Sequence, residues 1–420
     1  MATCFLKQKT STFTWKRYEN FAEGLTPRQE PGVEQADQPG DLSFSGPFLA
    51  ATHVGNYALF AGEYNFSSSG YYQDVVDAYN ASLEKSTPTP LSQARGALAA
   101  THVGNYALFA GGGYGISGYS NVVDAYNTSL EKSTPTPLSQ ARAWLSATHV
   151  GDYALFAGGK KYSSSDYYQN VVDAYNASLE RVTPFPERLS QAREDLAATH
   201  VGNYALFAGG AYYDGNVYSN VVDAYNTSLE KSTPTPLSQA RGYLSATHVG
   251  NYALFGGGYN FSDHYYNVVD AYNASLEKST PTPLSQARDA LAATHVGNYA
   301  LFGGGYGISG YSNVVDAYNT SLEKSAPTPL SQARYNLAAT HIGNYALFGG
   351  GYTDGGGGDR DTNTVDAYQE NQELCDFPVI PNSIYKFEPY DSEATASDFS
   401  KVTVNYPVNG YVKYISTTLN

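Results

Sequence analysis

Three side chains recur at fixed places along this chain, and each has chemistry to offer. Histidine stands at 53, 102, 149, 200, 248, 295 and 341. An imidazole can ligate a metal or carry a proton near neutral pH. Ligands must converge on one ion, however, and a ring of seven is too wide to do so. No Cys or Glu shares the motif, so the expected role is a turn histidine bonded to backbone beside Gly-Asn. Aspartate recurs at 77, 124, 173, 223, 270, 316 and 366, and arginine at 95, 142, 193, 241, 288 and 334. Catalysis needs one asymmetric constellation. Residues written into every unit point instead to structure, as an ion pair or a capped loop.

The elements that carry these residues are repeats. ATHVGNYALF occupies 51–60 and returns unchanged at 100–109, 198–207, 246–255 and 293–302. It returns with one change as ATHVGDYALF at 147–156 and ATHIGNYALF at 339–348. Successive histidines are 46 to 51 residues apart, a period that fits four-stranded units. Helical repeats are excluded by the Gly and Pro in each unit and by the lack of a 3.6-residue period. In one unit, LAATHV (98–103) reads as a short strand, GN as a turn, and YALFAGG (106–112) as an apolar second strand. A variable loop leads to NVVDAYN (121–127), a third strand rich in β-branched and aromatic residues. NTSLEKSTPTPLSQAR (127–142) holds a turn, a weaker outer strand and a Pro-punctuated link. Small residues in the first strand suit a crowded axis. Apolar residues pointing both ways suit a sheet packed between two neighbours, which a ring of seven supplies. The expected fold is all-β: a seven-bladed β-propeller over residues 49–380, an N-terminal arm and linker over 1–48, and a C-terminal β extension over 381–420.

The apolar strand ending in Gly-Gly, the V-x-x-Y-N strand and the Pro-containing link to Arg resemble the kelch repeat, carried here by LFAGG, VVDAYN and PLSQAR. Two departures stand out. Gly62 is followed by Glu63, and the usual outer-strand Trp is absent from SLEKSTPTP. The near-identical units are also similar to kelch-type repeat proteins of gut bacteria and their phages. That resemblance implies a virion-associated protein. Kelch-type copper oxidases use a Cys beside a metal-binding Tyr within the propeller. Cys4 and Cys375 lie outside the regular repeats.

Other motifs read plainly. N-A-S or N-T-S follows the third strand in six units, from Asn80 to Asn319, and reads as an Asx turn rather than a glycan acceptor. DGGGGDRD (354–361) matches no EF-hand spacing and reads as a loop tip. GxSxG, HExxH, P-loop and dinucleotide fingerprints are missing, as is the sialidase Asp box. No catalytic residue, metal or cofactor is expected, and the chain is read as no enzyme. With 24 Lys+Arg against 39 Asp+Glu, the net charge of −15 argues against nucleic acid and against anionic surfaces. Neither a signal-peptide core nor an 18-residue apolar run is seen, so no membrane insertion is expected. The last unit is irregular. Its outer strand is expected from VDAYQENQELCDFPVI (365–380) or from the N-terminal arm. Two alternating runs around PVNG within 401–417 predict a hairpin.

The informative signal is where the units differ. The turn after the first strand and the turn after the third barely change. The loop between the second and third strands changes in length and sequence from unit to unit, with GYGISGYS alone occurring twice (113–120 and 305–312), and the pair of residues after the link Arg changes every time. Strand geometry puts these two variable regions on one face. That face is rich in Tyr, Ser, Gly, Asn and Asp, the composition of antibody paratopes. The expected ligand contacts are Tyr71, Tyr72, Tyr114, Tyr119, Tyr167, Tyr168, Tyr212, Tyr213, Tyr218, Tyr259, Tyr265, Tyr266, Tyr306, Tyr311 and Tyr352, with Trp144, Tyr243 and Tyr335 from the links. The expectation is a non-enzymatic display and attachment protein of a virion, in a tail or head fibre, recognising a host-surface glycan or protein. Residues 1–48 and 381–420 would join it to other virion or scaffold proteins, and it would assemble as a homo-oligomer. The alternative is a bacterial extracellular or cell-surface kelch-type adhesin.

Overall fold

The alternation of small, apolar and polar residues in each repeat forces a half-buried antiparallel ladder. The computed structural model describes residues 26–29, 32–65, 71–114, 118–161, 167–212, 217–261, 264–354, 359–371, 374–378, 402–405, 411–412 and 414–417. It is all-β and β-propeller-like, and divides into two compact units. One is Val33–Glu370; the other joins Met1–Gly32 to Asn371–Asn420.

The larger unit repeats one sheet. In the second repeat the strands are Ala99–Val103, Tyr106–Ala110, Val123–Asn127 and Lys132–Ser133, paired in that order. Val103 pairs with Tyr106 across the Gly-Asn turn, and Tyr106 in turn with Asn127. The outer strand is only two residues long, as its Pro-rich sequence requires. In the third repeat it shrinks to a single bridge between Tyr175 and Arg181. Each Asn that follows the third strand makes the expected turn. Asn273 accepts from the backbone N–H of Ser275 at 2.9 Å and of Glu277 at 3.0 Å.

The second strand stops at a glycine pair because the chain must leave the ladder there. Gly111 and Gly112 sit at φ of 70° and 106°. A Cβ on Gly111 would meet the Arg142 carbonyl oxygen at 2.7 Å. In the first repeat Glu63 replaces the second glycine, and the ladder runs on. Tyr57–Asn65 pairs with Tyr71–Asn80, with a register shift between Ala61 and Glu63.

Sheets pack face to face through seven apolar clusters. Leu59, Ala61, Val76 and Ala78 of the first sheet meet Ala107, Phe109 and Tyr126 of the second. Leu347, Val365 and Ala367 of the last meet Ala58, Phe60 and Tyr79 of the first. Each Tyr in these clusters lends its hydroxyl to a carbonyl of the preceding link, as Tyr126 does to Thr89 at 2.8 Å. Six link arginines pair with the third-strand aspartates at 2.7–3.0 Å, fully buried. Gly46 holds the place of a seventh Arg. There Asp77 keeps the link-serine contacts of the other units, accepting from Ser43 N–H at 2.6 Å and Ser43 Oγ at 2.8 Å as Asp173 does from Ser139, and accepts in addition from Thr87 Oγ1 at 3.0 Å.

Two expectations are corrected. The repeated histidines do not bond the turn. Each is the fourth residue of a first strand whose burial alternates, so it shares a face with the Ala two places earlier. That face looks to the axis, and each imidazole lies against the next, His53 touching both His102 and His341. The second correction is to the bounds of the arm: of the two sources expected for the last outer strand the N-terminal one supplies it, Gly32–Gln35 lying beside Val365–Asn371. Ala36 N–H donates to Ala367 O at 2.8 Å, and Leu42 N–H to Asn363 O at 2.8 Å. Residues 33–48 therefore belong to the repeat unit rather than to an arm.

In the smaller unit Thr26–Gln29, Leu374–Pro378 and Tyr411–Val412 form a three-stranded sheet. Val402–Asn405 pairs antiparallel with Tyr414–Thr417. The Asn409-Gly410 turn, Cys4 and most of the arm lie outside the described residues, as do residues 355–358 of the Asp/Gly loop.

Candidate functional site

The repeats bring the two variable regions together. In six units the residue after the link Arg pairs with the start of the variable loop, as Gly96 with Gly113, Glu194 with Ala211 and Tyr335 with Tyr352. The next residue turns toward the axis. Phe48, Ala97, Trp144, Asp195, Tyr243, Ala290 and Asn336 all sit at φ between 48° and 58°. Each N–H donates to the carbonyl of its predecessor, from Ala97 to Phe48 at 2.8 Å through Asn336 to Ala290 at 2.8 Å. Such left-handed backbone favours Gly, Asn or Asp. Only Asp195 and Asn336 are of that type, so the other five positions carry side chains at a backbone cost.

These seven residues and the seven leucines that follow them line an axial cavity of about 220 Å³. Its floor is apolar and identical in every unit. Its rim differs at nearly every position. A roomier hollow on the opposite face, at Gly250, Asn251, Asn273 and Thr320, is lined by residues that barely change between repeats.

Around the cavity the aromatic side chains form an arc. Tyr218 touches Tyr259 at 6.0 Å between ring centroids, Tyr259 touches Tyr265 at 5.3 Å, and Tyr265 touches Tyr306 at 5.9 Å. Tyr306 and Tyr311 both meet Tyr335 at 5.6 Å. Tyr335 meets Tyr352 at 5.3 Å, and Tyr352 meets Phe48 at 6.4 Å. Tyr352 is only 5% exposed. It props Tyr335 from beneath and is not a surface contact. Tyr266 is half-buried, its hydroxyl accepting from Asn260 Nδ2.

The facing sector is charged. Lys160 Nζ lies 2.9 Å from Glu194 and 4.0 Å from the Trp144 ring centroid. Tyr119 packs on Trp144 at 5.9 Å and is hydrogen-bonded to Tyr167, which packs on Tyr168 at 5.0 Å. Asp195 is hydrogen-bonded to Tyr243. Burial, with Glu194 adding to it, pushes the Asp195 carboxyl up to about 8. Burial alone lifts Asp289 to about 7.

Of the other expected contacts, Tyr72 packs on Tyr64 at 4.7 Å, Tyr114 is exposed and Tyr212 is half-buried. Tyr71 is placed by its backbone pairing with Asn65. Tyr213 lies outside the described residues. The sequence reading missed Phe48, Lys160, Glu194, Asp195, Asp289 and Asn336. It placed the pair after the link Arg on the variable face but named only the aromatic members of those pairs as contacts.

No protein-family model matches the chain, and no curated protein matches it. Among solved structures it is similar to that of YjhT, a kelch-like β-propeller protein, at a TM-score of 0.53 and 13% identity. The match covers 66% of this chain and 96% of that one, and at such identity the likeness is one of fold.

Proposed function

We propose that residues 33–370 form a closed, seven-bladed kelch-type β-propeller that works as a non-enzymatic binding and display protein. In this reading it is a virion component, in a tail or head fibre, and its variable face recognises a host-surface glycan. The aromatic arc from Tyr218 to Tyr335 is the observation that carries the reading. Its rings follow one another at 5.3 to 6.0 Å, a spacing that suits successive sugar units. Rigid amphipathic rings lose little entropy on binding, and their faces match the C–H faces of sugars. The axial cavity would take one terminal sugar. The rim carboxyls and the Lys160–Glu194 pair would orient its hydroxyls. Residues 1–32 and 371–420 would then attach the propeller to other virion proteins, with several copies in one fibre.

The test is a glycan array and a host-cell binding assay on the whole protein, beside Tyr306→Ala and Tyr335→Ala variants. Binding that falls at least about tenfold in each variant supports the reading, since an interface anchor is worth 2 kcal/mol or more. Absent binding, or binding indifferent to both changes, overturns it. Mass spectrometry of purified particles tests the location. Recovery from bacterial envelopes alone would assign the chain to the adhesin class instead.

A further inference from the structure

The seven axial histidines lie apart from the variable face, and the proposed function makes no use of them. Successive ring centroids are 3.9 to 4.2 Å apart around the full circle. Successive planes differ by 47° to 52°, one seventh of a full turn. The planes therefore contain the axis direction. At this spacing two imidazoles fit only face to face, because edge to edge their hydrogens would overlap. Each ring thus stands like a vane, one edge toward the centre.

Size decides what such a ring can hold. A heptagon of this side puts the centroids about 4.7 Å and the inner ring atoms about 3.6 Å from the axis, against a Zn–N bond of about 2.0–2.1 Å. Among the described residues no group of three or more His, Cys, Asp or Glu has the geometry to hold a metal ion. Allowing for the nitrogen's own radius, the opening is about 2 Å in radius, wider than a water of about 1.4 Å and matched to a halide ion. No nitrogen of these seven imidazoles has a hydrogen-bond partner among the described residues. Each neutral imidazole keeps one N–H to donate. Burial, reinforced at most positions by the neighbouring imidazoles, holds the rings well below their usual pKa and so uncharged at neutral pH. The first strands supply only Ala, Ser, Thr, Val and Ile around the ring. The adjoining turns add one exposed carboxylate, Asp152.

We propose that the histidine ring is a binding site for a single halide ion, chloride under ordinary conditions, held on the axis by imidazole N–H donors. The ion replaces the acceptors that the protein itself does not provide. Crystals of the whole chain grown in sodium bromide test this by anomalous diffraction at the bromine edge. One bromide peak on the axis, level with the imidazoles, is expected. An empty axis, or bromide at surface positions only, overturns the proposal. So does zinc kept at that level after dialysis. Thermal melts give a second readout. At equal ionic strength, bromide in place of gluconate should raise the midpoint by about 2 °C or more. No difference between the two salts counts against the site. A His200→Leu/His295→Leu variant that folds should lose the difference. Should it fail to fold, the comparison on the unaltered chain still decides.

Discussion

Arg193 is buried to its last atom beside one carboxylate, Asp223, at 2.8 Å. It also donates to the Phe207 carbonyl at 3.2 Å. Burial lowers its pKa, and Asp223 opposes that shift. Removing one partner leaves the other charged and dry. Arg193→Ala should therefore cost about 3–5 kcal/mol, read from the urea midpoint. Arg193→Met with Asp223→Leu should recover most of the loss, because apolar isosteres of a buried pair come out near neutral. Equal losses in the single and double variants would show that shape, not charge, holds the joint. The pairing was legible in outline, since both residues stand in nearly every unit. The missing seventh Arg was legible too, as Gly46, but the extra Thr87 contact on Asp77 was not. A hydroxyl contact of that kind depends on how the chain packs.

At the scale of the element, the axial links carry the strain. Ala290 sits at φ 48°, with its N–H on Tyr243 O at 3.0 Å and its carbonyl receiving Asn336 N–H at 2.8 Å. Left-handed backbone costs an L-residue about 1–2 kcal/mol, more than the entropy lost by placing Gly in a fixed conformation. Ala290→Gly should raise stability by about 0.5–1 kcal/mol in chemical denaturation. Ala293→Gly, in the first strand, should lower it by a similar amount. A loss at both positions would mean that the ring of links holds no strain. The strands themselves were legible, because their residue types alternate with the pleat. The turn conformation of the links was not. Nothing in Gly-Ala, Ala-Trp or Glu-Asp announces a positive φ, and Asp195 and Asn336, though placed on the variable face, were not named as contacts. The longer ladder of the first repeat was half legible. Glu63 was seen as a departure from Gly-Gly, but not as the reason the strands continue.

For the whole repeat unit, acid is the discriminating perturbation. Burial lowers the pKa of His53, His149 and His295 to about 4, from about 6.5 in the open chain. The remaining four are depressed further. The unfolded chain therefore takes up protons first as pH falls. The histidine contribution to stability is whole above about 6.5 and is lost progressively toward pH 4. Thermal midpoints should drop across that window, against the opposite trend of the raised Asp195 and Asp289 carboxyls, which favour the fold as pH falls from about 8. Exchanging all seven histidines for Asn should flatten the drop. An unchanged midpoint down to pH 4.5 would mean that the imidazoles are not held neutral.

The latch made by Gly32–Gln35 and Val365–Asn371 sets an order on synthesis. The half that leaves the ribosome early must wait for the half that leaves late, with every repeat in between. Until then the last sheet lacks its outer strand, and an open edge faces water. Both halves of the latch sit beyond the run of near-identical repeats. A copying slip that added or dropped one repeat would keep the clasp intact while changing the number of repeats held between its halves.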